Sequence, residues 1–83
     1  MNMGTDTRPM LALQAARRLA RDLEKRRNVM GLTRFVLSQR LRVPVDLLER
    51  WENGRSFPNA PDLFAWAKEL AFGIVLADAD DRT

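Results

Sequence analysis

The chain has no cysteine, no histidine and no tyrosine. Without cysteine it can form no disulfide and no thiolate zinc site. Without histidine it lacks the commonest proton shuttle at neutral pH, and with it the Ser-His-Asp, Cys-His and histidine-metal arrangements. Its acidic residues show no metal-carboxylate pattern, so neither an enzyme nor a metal or cofactor site is predicted. Long apolar runs are missing too. The longest uncharged one, Leu70 to Ala77, falls far short of the roughly 18 residues that span a bilayer. The polar, acidic N-terminus lacks the apolar core of a signal peptide. No membrane association is predicted, and the chain reads as cytoplasmic, a compartment with which the lack of cysteine agrees.

What is present is foldable. Eighty-three residues, 46% hydrophobic and 30% charged, describe one small globular domain rather than a disordered chain. A chain of this length buries only roughly 60 to 65% of the surface its unfolded form exposes, which leaves no room for a second core or a deep cleft. Binding functions are therefore favoured. The charge is unevenly spread: residues 1–42 carry ten Lys/Arg against three Asp/Glu (+7), and residues 43–83 carry four against eight (−4). Such a cationic half suits a phosphate backbone or an acidic partner, although a solvated helix face gives the same composition.

Residues 1–7 read as a frayed polar lead. Ala12, Ala16, Leu19, Ala20 and Leu23 then form an apolar stripe at helical spacing from about Arg8 to Asn28, with Thr7 as a cap and Pro9 in the first turn. Arg17, Arg21 and Lys25 follow at four-residue spacing, where like charges repel unless something anionic lies across them. Gly31 ends this helix. Thr33 caps a second through Leu41, of which Phe35, Val36, Leu37 and Leu41 are too apolar for all to be exposed. Pro44 cannot continue that helix but suits the start of a third, which runs to about Asn53 and stops at Gly54. Asn59 caps a further helix, with Asp62 at its positive end and Leu63, Phe64, Trp66, Ala67 and Leu70 on its inner face. Phe72, Ile74 and Leu76 alternate with Gly73, Val75 and Ala77, a two-residue period that reads as a strand over 72–77, though continuation of the last helix to Leu76 is the alternative. A lone strand would pair with its copy in a homodimer. Residues 78–83 are an acidic tail.

Two short helices joined by a tight break, the second ending in Trp51-Glu52-Asn53-Gly54-Arg55, match the physical pattern of a helix-turn-helix. Together with Gly31-Leu32-Thr33, Leu37, Leu41-Arg42-Val43, Leu48 and Pro58, this stretch resembles the Cro/repressor-type (Xre) helix-turn-helix family. Ala16-Arg17-Arg18-Leu19 and Glu24-Lys25-Arg26-Arg27-Asn28 are similar to the first helix of lambda-repressor-like domains. The resemblance covers roughly Pro9 to Phe72. It implies an all-α, lambda-repressor-like bundle of four to five helices over residues 8–71, plus the strand. Leu37, Leu41, Val43, Leu48 and Trp51 fall at core positions, and Arg27 pairs with Glu52.

The resemblance also implies duplex DNA as partner. Thr33, Arg34, Asn53, Gly54 and Arg55 fall at positions that approach the phosphate backbone, and Pro44, Val45, Asp46, Leu47, Glu49 and Arg50 at the base-reading start of the third helix. Here the chain departs from its relatives, which usually carry Ser, Gln, Arg or Thr. Val45 and Leu47 suit a thymine methyl, and Asp46 or Glu49 a cytosine amino group, but carboxylates are repelled by phosphates. A protein-binding face, or an inward turn of a residue such as Leu47, are the alternatives. Arg8, Arg17, Arg18, Arg21 and Arg26 either extend the cationic footprint or solubilise the first helix. The implied function is a homodimeric, sequence-specific transcriptional repressor acting on an inverted repeat. The strand is also similar to the tail of HipB-type antitoxins, which implies autoregulation and a toxin partner as a variant.

Overall fold

The computed structural model describes residues 8–72, with the side chains of Met10 to Phe72. Thr7, the strand residues Ile74 and Leu76 and the acidic tail lie outside this range. Among the described residues the fold is all-helical: α1 (Arg8–Val29), α2 (Arg34–Leu41), α3 (Val45–Glu52) and α4 (Ala60–Glu69). No described helix is long and apolar enough to cross a membrane.

Local chemistry sets the starts. Thr33 Oγ1 accepts from Val36 N–H at 3.1 Å, and Asn59 Oδ1 accepts from Asp62 N–H at 2.9 Å, each satisfying an N–H that the first turn leaves without an intrahelical acceptor. Pro61 stands in the first turn of α4, where its missing N–H removes nothing. Pro44 precedes α3 and offers no side-chain cap; its carbonyl accepts from Leu47 and Leu48 N–H.

The four helices stop in one way. A residue with positive φ follows each, namely Gly31, Arg42, Gly54 and Ala71. The N–H one position further on then reaches back five residues: Leu32 to Arg27 O, Val43 to Ser38 O, Arg55 to Arg50 O and Phe72 to Ala67 O. This is the Schellman closure, which satisfies carbonyls the last turn would leave orphaned. Two of the closures use glycine. Arg42 (φ 61°) and Ala71 (φ 52°) adopt the same conformation with a Cβ, against its steric penalty.

The closure at Ala71 corrects the strand prediction at its first residue. Phe72 is not in a strand: its N–H is taken by Ala67 O, and its half-buried side chain packs against the core. A Schellman closure favours that apolar contact, and the alternating pattern concealed it.

Ala20 and Leu23 of α1, Leu37 of α2, Leu48 and Trp51 of α3, Trp66 and Ala67 of α4, and Leu70 just past its end form the core. The Trp51 and Trp66 rings lie 5.5 Å apart, tilted by 35°, in the range where aromatic pairs attract beyond their burial. α3 packs on both α1 and α2, and α4 packs on α2. One expectation of burial fails: Phe64 of α4 is 46% exposed. On α2, Phe35 is 57% exposed while Leu37 is buried and Leu41 packs against the core, so part of that apolar set is covered as expected.

Candidate functional site

α3 is polar on one side and buried on the other. Leu48, Trp51 and Glu52 face the interior, while Pro44, Val45, Asp46, Glu49 and Arg50 are exposed. The alternation follows the helical period, so one row of side chains anchors the element and the adjacent row is presented. Leu47 is half-buried and packs against the core, the inward turn that the sequence leaves open for it. Asp46 and Arg50, one turn apart, approach to 3.8 Å in the open, a weak pair in water. The first-turn N–H groups of α3 have no side-chain cap, so the positive helix end is offered outward.

What holds α3 in place is a buried carboxylate. The Glu52 side chain is 0% exposed. It accepts from Arg27 Nε at 2.7 Å and Arg27 Nη2 at 3.1 Å, the two-pronged geometry that suits a guanidinium. This is the pairing that the resemblance implied. Arg27 Nη1 also donates to Leu32 O at 2.9 Å, fastening the α1–α2 connection.

A second cation joins them, unread from the sequence. Arg34 Nε donates to Glu52 Oε1 at 2.7 Å, and its Nη2 to Glu24 Oε2 at 3.4 Å. The Glu52 hydrogen bond raises the Arg34 guanidinium above its ordinary value, with burial opposing and the charges of Glu52, Glu49 and Glu24 adding. Arg34, expected as a free phosphate contact, thus also ties α2 to α1 and α3. It keeps a third of its side chain exposed, 35%.

The remaining expected backbone contacts divide. Thr33, Asn53 and Arg55 are exposed. Gly54 is buried, because the Arg17 side chain lies across it: a Cβ on Gly54 would meet Arg17 Cγ at 3.2 Å. The side of Gly54 that a Cβ would occupy is thus covered by the Arg17 side chain.

Arg17 and Arg21 line a cleft with Glu24, Glu52, Asn53 and Gly54, while Arg18 lies round the helix beside Leu11, Asp22 and Phe72. The i, i+4, i+7 spacing of Arg17, Arg21 and Glu24 is legible as one stripe of α1. Their meeting with the end of α3 is not. Arg26 is spent structurally, donating from Nε to Leu70 O at 2.9 Å at the close of α4. Comparison of the chain with protein-family models, with curated proteins and with solved structures finds no match.

Proposed function

We propose that the chain is a sequence-specific, duplex-DNA-binding transcriptional regulator in which α2 and α3 act as a helix-turn-helix of the Cro/repressor type. One observation carries this reading: α3 presents Pro44, Val45, Asp46, Glu49 and Arg50 to solvent while Glu52, at its far end, is clamped from behind by Arg27 and Arg34. A helix held rigidly with its leading turn free is what entry into a major groove requires.

Thr33, Arg34, Asn53 and Arg55 would contact phosphates and carry affinity, and Val45, Asp46, Glu49 and Arg50 would contact base edges and carry sequence choice. A homodimer would set two such helices on one duplex face, reading half-sites about 34 to 36 Å apart. Bound over a promoter, the dimer would exclude polymerase and repress. Autoregulation as an antitoxin, with a toxin as second partner, is a variant of the same mechanism.

A second reading rests on the exposed Val45 beside the carboxylates of Asp46 and Glu49. Apolar and acidic groups suit a protein partner better than phosphates, so the fold would then serve as an interaction module. Selection from random duplexes at low salt, followed by gel shift, separates the two. Enrichment of a motif with two-fold symmetry supports the regulator. Failure to enrich any motif rejects it in favour of the interaction module.

A further inference from the structure

The cleft between α1 and the end of α3 has a volume of about 270 Å³ and is lined by Arg17, Arg21, Glu24, Glu52, Asn53 and Gly54. Its charges do not cancel. The carboxylates of Glu52 and Glu24 are both paired with Arg27 and Arg34. Arg17 and Arg21 enter none of the ion pairs among the described residues. With Arg27 and Arg34 behind the lining and Glu49 acting on Arg34, four guanidinium groups stand against three carboxylates, a balance of +1. Arg17 and Arg21 stand one helical turn apart, so their repulsion is relieved when an anion bridges them.

The Arg17 stem is laid over Gly54, with Cγ 3.2 Å, Nε 3.6 Å and Cδ 3.7 Å from where a Cβ would stand. Packing of this kind fixes part of a long side chain before any ligand arrives and reduces the entropy lost on binding.

We propose that this cleft is a phosphate seat for the backbone of the bound duplex, formed by the guanidinium groups of Arg17 and Arg21 with the Asn53 side-chain amide, over Gly54 as its floor. The source of the phosphate rests on the regulator reading above. Distance favours it: eight residues of α3 span about 12 Å, and the major groove is about 12 Å wide. With the Pro44 end inside the groove, the Asn53 end reaches the groove wall, where the phosphates run. The seat adds affinity to every sequence alike and gives α1 a direct part in binding.

The test is the salt dependence of duplex binding by the full chain, comparing wild type, Arg17→Gln/Arg21→Gln and Lys68→Gln, whose site lies on α4. Glutamine keeps the stem over Gly54, and unchanged thermal melting verifies the fold. Each phosphate contact contributes about −0.9 to the slope of log Kobs against log salt. The double variant is expected to lower the steepness by about one unit per bound chain, hence about two for a dimer, on cognate and random duplexes alike, with Lys68→Gln matching wild type. An unchanged slope, or an equal loss in Lys68→Gln, overturns the seat. Should the wild type bind no duplex at all, the regulator reading falls and titration with inorganic phosphate, followed by amide NMR, decides the seat. Shifts at the Asn53 side-chain amide and Gly54 N–H that vanish in the double variant support an anion site, and their absence in wild type overturns it.

Discussion

Arg34 Nε lies 2.7 Å from Glu52 Oε1, the same carboxylate that Arg27 grips with two nitrogens. One buried anion therefore joins residues of α1, α2 and α3. Such a group contributes more to orientation than to net stability, since its attraction to two cations is offset by the loss of its hydration. Removing it alone is different, because the cations stay behind.

Glu52→Leu is accordingly expected to lower stability by about 3 to 5 kcal/mol, leaving the buried Arg27 with only the more distant Glu24 carboxylate, at 3.9 Å. In a domain this small that shifts the melting temperature by more than about 10 °C. Changing Arg27 to Met in the same chain should recover most of the loss. Urea unfolding of the three proteins measures both numbers, and a single-variant loss below about 1 kcal/mol would contradict the burial of the pair.

Arg34→Ala should act twice. It removes a charge-assisted hydrogen bond, for about 1.5 to 3 kcal/mol of stability, and it weakens all duplexes alike while lowering the salt slope by about one unit per bound chain, about two for a dimer. Because the guanidinium value is raised in the folded state, the stability Arg34 supplies is complete below its unfolded value and is lost only above the raised one. Both lie far above neutrality, so the difference between wild type and Arg34→Ala should stay constant from pH 6 to 9. A sequence-restricted loss of binding would contradict the backbone role.

Gly31 and Gly54 share φ 73° but not surroundings: a Cβ at Gly31 meets nothing within 4 Å, whereas one at Gly54 presses on Arg17. Gly31→Ala should therefore cost about 1 to 2 kcal/mol, the left-handed penalty alone. Gly54→Ala should cost more by the displacement of Arg17, and in the Arg17→Ala background that excess should disappear. A double-mutant cycle in urea reads it directly. Arg42 and Ala71 point the other way, and Arg42→Gly is expected to raise stability by roughly 0.5 to 1 kcal/mol, the strain relieved exceeding the added entropy of the unfolded chain.

Truncation after Ala71 tests the dimer. If the rest of the expected strand, residues 73–77, pairs across a two-fold axis, light scattering should report a monomer for the shortened chain and a dimer for the full one. Phe72 also packs on the core, so melting of both chains must accompany the measurement. A truncated chain that still dimerises would place the interface elsewhere.

The parts of the fold legible in the sequence are those that local chemistry decides. Thr33 and Asn59 announce helix starts through side chains that reach the next turn, Pro44 forbids continuation, and Gly31 and Gly54 supply left-handed stops. Leu19, Ala20 and Leu23 mark the inner stripe of α1 by period alone. Pro44 places the end of α2 at Arg42, but the left-handed conformation of Arg42 and Ala71 is not legible, because neither residue type favours it. The Arg27–Glu52 pair was reached through resemblance, as no spacing rule joins residues on different helices. Arg34–Glu52 and Arg17 over Gly54 were out of reach for the same reason: each depends on how two helices cross. Leu47 and Phe64 show the remaining ambiguity in opposite directions: at the edge of a helix's inner stripe, Leu47 packs against the core while Phe64 stays exposed.

The shared carboxylate of Glu52 has one more consequence. A joint pinned from two sides cannot swing, so the angle between α2 and α3 is fixed before any partner is met. Adjustment to a target of different shape must then come from the partner's own bending, or from rotamers at Val45, Asp46, Glu49 and Arg50, and never from hinging between the two helices.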